Sequence, residues 1–223
     1  MQGIPLNERK RLGALLDDRP QTEVMAMIPQ FSQAETDNFV APPAQIPEAL
    51  GVLMFNMERG VNLPEIQEFL RDCPDIQPFD VILVNELDDG CARSGNKNTA
   101  RELAQAFGLN YAWGLEFIEL VNDENAKGFH GNAVFSRWPI RRAGVIRLPE
   151  QYNWYFDRQK RIGGRLAVFA ELDVGGQPVG AVSIHLENRT HGEGRKAQMA
   201  AILEAVRKEL PDMPLILGGD LNT

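Results

Sequence analysis

Four apolar runs in this 223-residue chain each finish on a polar residue able to meet a metal ion or a phosphate: Asn56, Glu86, His185 and the pair Asp220/Asn222. The last is the plainest. In Pro214-Leu-Ile-Leu-Gly-Gly-Asp-Leu-Asn-Thr223 the segment Leu215–Leu217 reads as a short buried strand. Gly218, Gly219 and Asp220 then bring a carboxylate to the sheet edge, with backbone amides free to approach a ligand. Taken singly, each terminus is also what a simple strand-to-turn exit requires, because Gly, Asp and Asn all favour turns. If the four strands are neighbours, the four termini share one pocket.

The residue types suit one chemistry. Glu86 and Asp220 offer hard oxygen donors and no sulfur, the donor set of Mg²⁺ or Mn²⁺ rather than of zinc. Mg²⁺ takes one or two carboxylates and leaves its other positions to water and substrate phosphate. Such an ion polarises a phosphoryl oxygen and offsets the charge that builds during in-line displacement. His185 and Asn222 could donate hydrogen bonds to non-bridging oxygens. The other histidines, His130 and His191, stand beside glycines and read as loop residues. Three histidines without Glu or Cys at helical spacing make a poor zinc hydrolase.

These termini must be held by an alternating framework. From about Leu50 the pattern gives a strand over 50–56, a helix over 63–70 with Pro64 in its first turn, and a strand over 79–86. Thr99-Ala-Arg-Glu102 fits a capping box opening a helix that stops at Gly108. Strands follow over 111–120, 132–135, 144–148, 166–172 and 179–185, then a helix over 193–210 and the closing strand. Strands in series after an alternating start imply an α/β (α+β) fold of two sheets with helices outside. Residues 1–47 read as an N-terminal extension: a short helix over 7–16, then an irregular arm with prolines and no sustained period. The folded domain is expected over 48–223.

Composition narrows the class. Hydrophobic residues make up 43% and charged residues 24%, ordinary for a globular protein, and no run is apolar and long enough to span a bilayer. The first residues lack the basic-then-apolar order of a secretory signal, and Cys73 and Cys91 form no CxxC pair, so a cytoplasmic monomer without a disulfide framework is expected. A net charge of −8 disfavours a broadly basic nucleic-acid-binding surface. Between Arg137 and Arg165, however, eight basic residues stand against Glu150 and Asp157.

Asn56, Asn85-Glu86-Leu87-Asp88, Gly131-Asn132-Ala133-Val134-Phe135-Ser136-Arg137, Ser183-Ile184-His185-Leu186 and Gly218-Gly219-Asp220-Leu221-Asn222 stand in the order seen in one superfamily. The chain resembles the endonuclease/exonuclease/phosphatase group, which includes pancreatic deoxyribonuclease, apurinic endonucleases, inositol polyphosphate 5-phosphatases and neutral sphingomyelinases. The resemblance covers about residues 50–223 and implies a four-layer α/β/β/α sandwich and a Mg²⁺-dependent (or Mn²⁺-dependent) phosphoesterase. It implies metal ligation by Glu86 and Asp220, with Asp220 also orienting the attacking water. Asn222 would contact the phosphate and His185 would stabilise its developing charge. Asn56, Asn132 and Arg165 would support metal, phosphate or substrate. The family pattern continues past the Gly-Asp-x-Asn strand to further strands and an Asp-His pair that this sequence lacks, so a C-terminally truncated chain with little or no turnover is expected. The alternative is a catalytically silent module of the same fold that binds a phosphorylated ligand or a protein partner.

The basic segment also carries Trp138, Tyr152, Trp154, Tyr155 and Phe156. Rings interleaved with arginines suit a nucleic acid, a phosphoinositide or a phospholipid headgroup, and equally an ordinary hairpin whose rings pack on the sheet. The loop Arg93–Asn98 leads into a helix N-terminus and offers Arg93 as a second phosphate contact, or serves simply as a polar turn.

Overall fold

The computed structural model describes residues 1–223. In chain order the strands are β1 (Ala34–Asp37), β2 (Val52–Arg59), β3 (Val81–Asp89), β4 (Asn110–Glu119), β5 (Phe129–Ser136), β6 (Ile140–Arg147), β7 (Arg161–Gly163), β8 (Leu166–Val174), β9 (Gln177–His185) and β10 (Leu215–Asp220). The helices are α1 (Leu6–Ala14), α2 (Gln21–Ala26), α3 (Leu63–Asp72), α4 (Thr99–Phe107) and α5 (Gly192–Glu209). No helix is long and apolar enough to cross a membrane.

The strands form two sheets. One has the order β1-β4-β5-β3-β2, with β7 also paired to β4; the other runs β10-β9-β8-β6. Each is mostly antiparallel and ends in one parallel pair, β2 with β3 and β10 with β9. Both parallel pairs are closed by a crossover helix, α3 and α5 respectively, as parallel pairing requires.

Side-chain alternation assigns the layers. Along β3, Ile82 and Val84 point outward to a core shared with Leu63 and Leu70 of α3 and Leu103 of α4. Val81 and Leu83 point inward, onto Val168, Ala170 and Ala181 of the second sheet. The far face of that sheet, with Phe169, Val182 and Ile184, packs on Ile202 and Val206 of α5. The result is an α/β/β/α sandwich, as the series of strands implied.

Several local readings differ from expectation, each for a physical reason. The stretch read as an irregular arm carries α2 and β1, only six and four residues long. Neither is long enough to show a period; they are held by burial of Val24, Ile28 and Phe31 against the first sheet and by pairing of β1 with β4. The cap of α4 is Asn98, whose side chain accepts the Arg101 amide at 2.8 Å. Thr99 instead donates its hydroxyl to the Asp88 carbonyl, so the capping-box reading was one residue late. His130 lies within β5 and is buried, not in a loop; the neighbouring glycines accommodate tight strand packing there, since a Cβ at Gly131 would collide with Trp113 and the Gly114 carbonyl.

Candidate active site

The carboxyl ends of the two parallel pairs meet at the seam between the sheets, the place where open α/β sheets form ligand crevices. Asn56 on β2 donates from Nδ2 to Glu86 Oε1 at 3.4 Å and to Asp220 Oδ2 at 3.1 Å. One amide thus bridges carboxylates from both sheets. Beyond Asn56 the backbone turns through the left-handed region at Glu58 and Arg59, with φ of 45° and 69°.

Glu86 does not end its strand. It sits on a β-bulge, where the pairing of β3 with β5 slips between Val84 and Leu87, and its φ is 60°. Left-handed backbone at a non-glycine residue costs about 1–2 kcal/mol, and bulges commonly re-aim a side chain beside a site. Here the bulge is held by Asn132, whose Oδ1 accepts the Glu86 N–H at 3.1 Å. Asn85 ties the sheets together, accepting the Asp220 N–H at 2.8 Å and donating to the Ile184 carbonyl at 3.0 Å. Asn222 is fixed next to Asp220: its N–H reaches Asp220 Oδ1 at 3.0 Å, and its Nδ2 donates to the Leu186 carbonyl at 2.9 Å.

His185 is buried, with Nε2 facing Glu86 at 4.0 Å and Asp220 at 3.9 Å. On its other side Nδ1 lies 3.2 Å from Glu116 Oε2, a contact that places the ring proton on Nδ1 in the neutral tautomer. Arg165 donates from Nη1 to Glu116 Oε1 at 3.1 Å and lies 2.8 Å from His185 Nε2. Burial alone would raise the Glu116 pKa; the charges of His185 and Arg165 outweigh it and hold the carboxyl below the usual carboxylate range. Behind Glu116 a second buried chain runs to His130, whose Nδ1 lies 2.9 Å from Asp88, and on to Arg93, 2.7 Å from Asp88 and 3.1 Å from Glu119. Burial works against the Asp88 anion as well, but hydrogen bonds from Arg93 and His130 prevail and bring its pKa down to about 2.

The structure therefore brings together Asn56, Glu86, Arg165, His185, Asp220 and Asn222 at one seam. Asn132 is fully buried beneath them and holds the Glu86 backbone; Arg93 lies at the far end of the buried chain, ion-paired to Asp88 and Glu119. Glu116 and Asn85 escaped the sequence reading. The signal for Glu116 was present: a carboxylate in the middle of Ala112-Trp-Gly-Leu-Glu-Phe-Ile118, a stretch of β4 whose other residues are apolar or glycine.

The basic segment is largely consumed by the fold. Arg141 and Arg142 pair with Asp173 and Glu171, the Arg147 guanidinium donates to the backbone carbonyls of Phe31 and Gly164, and Trp138 is buried. Arg137, Arg158 and Lys160 stay exposed, Lys160 with its ammonium 4.6 Å over the Tyr155 ring.

The Glu86 and Asp220 carboxylates share one amide, and neither is ion-paired to a Lys or Arg. Their oxygens are partly open, with side-chain exposures of 23% for Glu86 and 30% for Asp220. Hard, anionic and half-open oxygen donors fit a Mg²⁺-type ion.

The Endonuclease/Exonuclease/phosphatase family profile matches residues 55–223, and the chain belongs to that family. Among solved structures, a family protein from Beutenbergia cavernae DSM 12333 shares 23% identity over 77% of this chain and 46% of its own, with a TM-score of 0.54. The human Nocturnin catalytic domain shares 20% identity, covering 87% of this chain and 69% of that one, at a TM-score of 0.55. A family protein from Leptotrichia buccalis C-1013-b gives 19%, 78%, 69% and 0.55 in the same terms. The chain thus spans less than half the length of the first of these. No curated protein sequence matches it.

Proposed function

We propose that the chain carries the centre of a divalent-metal-dependent phosphodiesterase that hydrolyses its substrate by in-line attack of water. The observation that carries this reading is the Asn56 amide bridging Glu86 and Asp220 from opposite sheets, with neither carboxylate in an ion pair to Lys or Arg. Glu86 and Asp220 would hold Mg²⁺ or Mn²⁺, which when bound supplies Lewis-acid polarisation of a phosphoryl oxygen.

The remaining steps belong to the chain's own groups. Asp220, whose Oδ1 is anchored by the Asn222 amide, orients a water along the line opposite the leaving oxygen. His185, braced by Glu116, stands within about 4 Å of the carboxylate pair and would stabilise the charge that develops on the phosphate. Arg165 fixes Glu116 and His185 relative to one another, and Asn222 contacts a non-bridging oxygen. Nucleic acid, phosphoinositide and phospholipid headgroup are the substrate classes that this chemistry serves.

Slow release of p-nitrophenol from bis-p-nitrophenyl phosphate, dependent on Mg²⁺ or Mn²⁺ and abolished by EDTA, is the expected result. Mn²⁺ binding followed by electron paramagnetic resonance gives an independent check. Glu86→Gln should lose that binding while keeping the wild-type circular dichroism spectrum. A Glu86→Gln variant that binds Mn²⁺ as tightly as the wild type would refute the assignment.

A further inference from the structure

Beside Glu86 a cavity of about 210 Å³ opens, lined by Arg59, Arg161, Arg165 and Arg189 from three separate segments. Its walls include the Trp154 ring, which has three guanidinium groups around it: Arg161 at 5.1 Å, Arg165 at 5.4 Å and Arg189 at 5.9 Å from the ring centroid. Asp157 and Glu86 are the carboxylates in the wall, and His130 lines it too. Arg165 is matched by Glu116, and Arg161 by Glu119 at 3.0 Å. Arg189 has only Asp157 at 3.8 Å.

The cations are unequally satisfied. Arg161 and Arg165 are buried and paired, with Arg161 Nε 3.0 Å from Glu119 Oε1 and Arg165 Nε 3.5 Å from Glu187 Oε2, whereas Arg59 has no ion-pair partner and its buried Nε meets no acceptor. Arg59 and Arg189 bring charge to the cavity that no carboxylate within hydrogen-bond distance offsets, and an anion bound there would complete the set. Arg59 is brought there by two successive left-handed non-glycine residues, a turn in which Asn56 Oδ1 accepts the Glu58 N–H at 3.1 Å.

We infer that this cavity is a second anion subsite taking a terminal phosphate monoester of the substrate, so that the preferred substrate is a phosphodiester with a phosphorylated substituent. The inference rests on the phosphodiesterase reading and deepens it. Three features select the ligand. Planar guanidinium forks arriving from different directions match a tetrahedral dianion. The volume lies below the range of about 300–1,000 Å³ usual for drug-sized ligands and admits a phosphate group, and a wall with four arginines disfavours an acyl chain. Adjacency to Glu86 sets the second phosphate next to the scissile one. The acidic remainder of the chain disfavours a long polyanion lying across its surface, so a compact substrate end is the better fit.

The test begins without metal, so that it does not depend on turnover. Isothermal titration of the whole chain with inorganic phosphate in EDTA should show one saturable site. Arg59→Gln and Arg189→Gln, which leave the two most buried arginines in place, should each weaken it about tenfold, the loss of one charge-assisted hydrogen bond. Absence of saturable binding, or affinity unchanged in both variants, overturns the subsite whatever the enzyme does. A second arm, with Mn²⁺, compares a dinucleotide carrying a 5′-phosphate with its 5′-hydroxyl counterpart. KM should be about tenfold lower for the phosphorylated one, and the difference should vanish in Arg59→Gln. Equal KM values in the wild type overturn the substrate assignment. Arginine-dependent phosphate binding by a chain that hydrolyses neither dinucleotide would uphold the anion subsite and refute the phosphodiesterase reading.

Discussion

Glu116 is the residue on which the polar interior turns. It is fully buried and lies within hydrogen-bond reach of Arg165, His185 and Asn132, so its charge is what allows a guanidinium and an imidazole to sit under the seam. Glu116→Leu strands those groups without a counter-charge and should destabilise the fold by about 3–5 kcal/mol in urea unfolding. Glu116→Gln keeps the shape and loses the charge; its expected effect is a fall in kcat of roughly 10–100-fold with KM little changed. Asp88 gives a pH test. Its folded pKa of about 2 lies below the ordinary 3.8, so the unfolded chain takes up the proton first. The contribution of its pairing with Arg93 and His130 is complete above about pH 4 and is lost as pH falls from about 4 to 2, an effect of about 2 kcal/mol. Unfolding free energies at pH 5, 3 and 2 should show that loss in the wild type and a flatter profile in Asp88→Asn. At this scale the sequence speaks unevenly. Glu86, His185 and Asp220 are visible because each closes an apolar run, whereas Asn85 and Glu116 act through strands far away in sequence, which no local pattern reports.

At the scale of elements, the aim of each functional side chain depends on backbone that departs from regular strand. The bulge at Glu86 is one case. Gly219 is the other: its φ is 135°, and a Cβ there would run into the Ile184 backbone of the paired strand. Gly219→Ala combines a forbidden backbone region with a collision against main chain that cannot yield, and should cost about 3 kcal/mol or more. The measurable signs are a lowered thermal midpoint and weakened Mn²⁺ binding, since Asp220 is the next residue. The Gly-Gly pair was legible in sequence as a turn former; that its second member makes room for β9 needed the neighbouring strand. Long, strongly patterned elements such as β3, β4, β9 and α5 could be read from periodicity. Elements as short as β1, β7 and α2 could not, because tertiary contacts rather than their own pattern hold them.

For the whole molecule, the two-sheet plan was readable from the order of strands and helices, but which surface charges would remain free was not. Most arginines of the basic segment are drawn into ion pairs or onto carbonyls, Arg161 and Arg165 beside Trp154 among them, and Arg137, Arg158 and Lys160 stay exposed. One feature of the seam also bears on how the chain acquires its site. Asn56 meets Asp220 across 164 residues, and Asn85 meets the same residue across 135. Contacts so distant along the chain close late, after each sheet has gathered its local pairings. On dilution from urea, the far-ultraviolet dichroism should therefore recover first and Mn²⁺ binding afterwards. A single shared rate for the two signals would mean that the sheets dock as they form. Metal capture is thus a clock for the last act of folding.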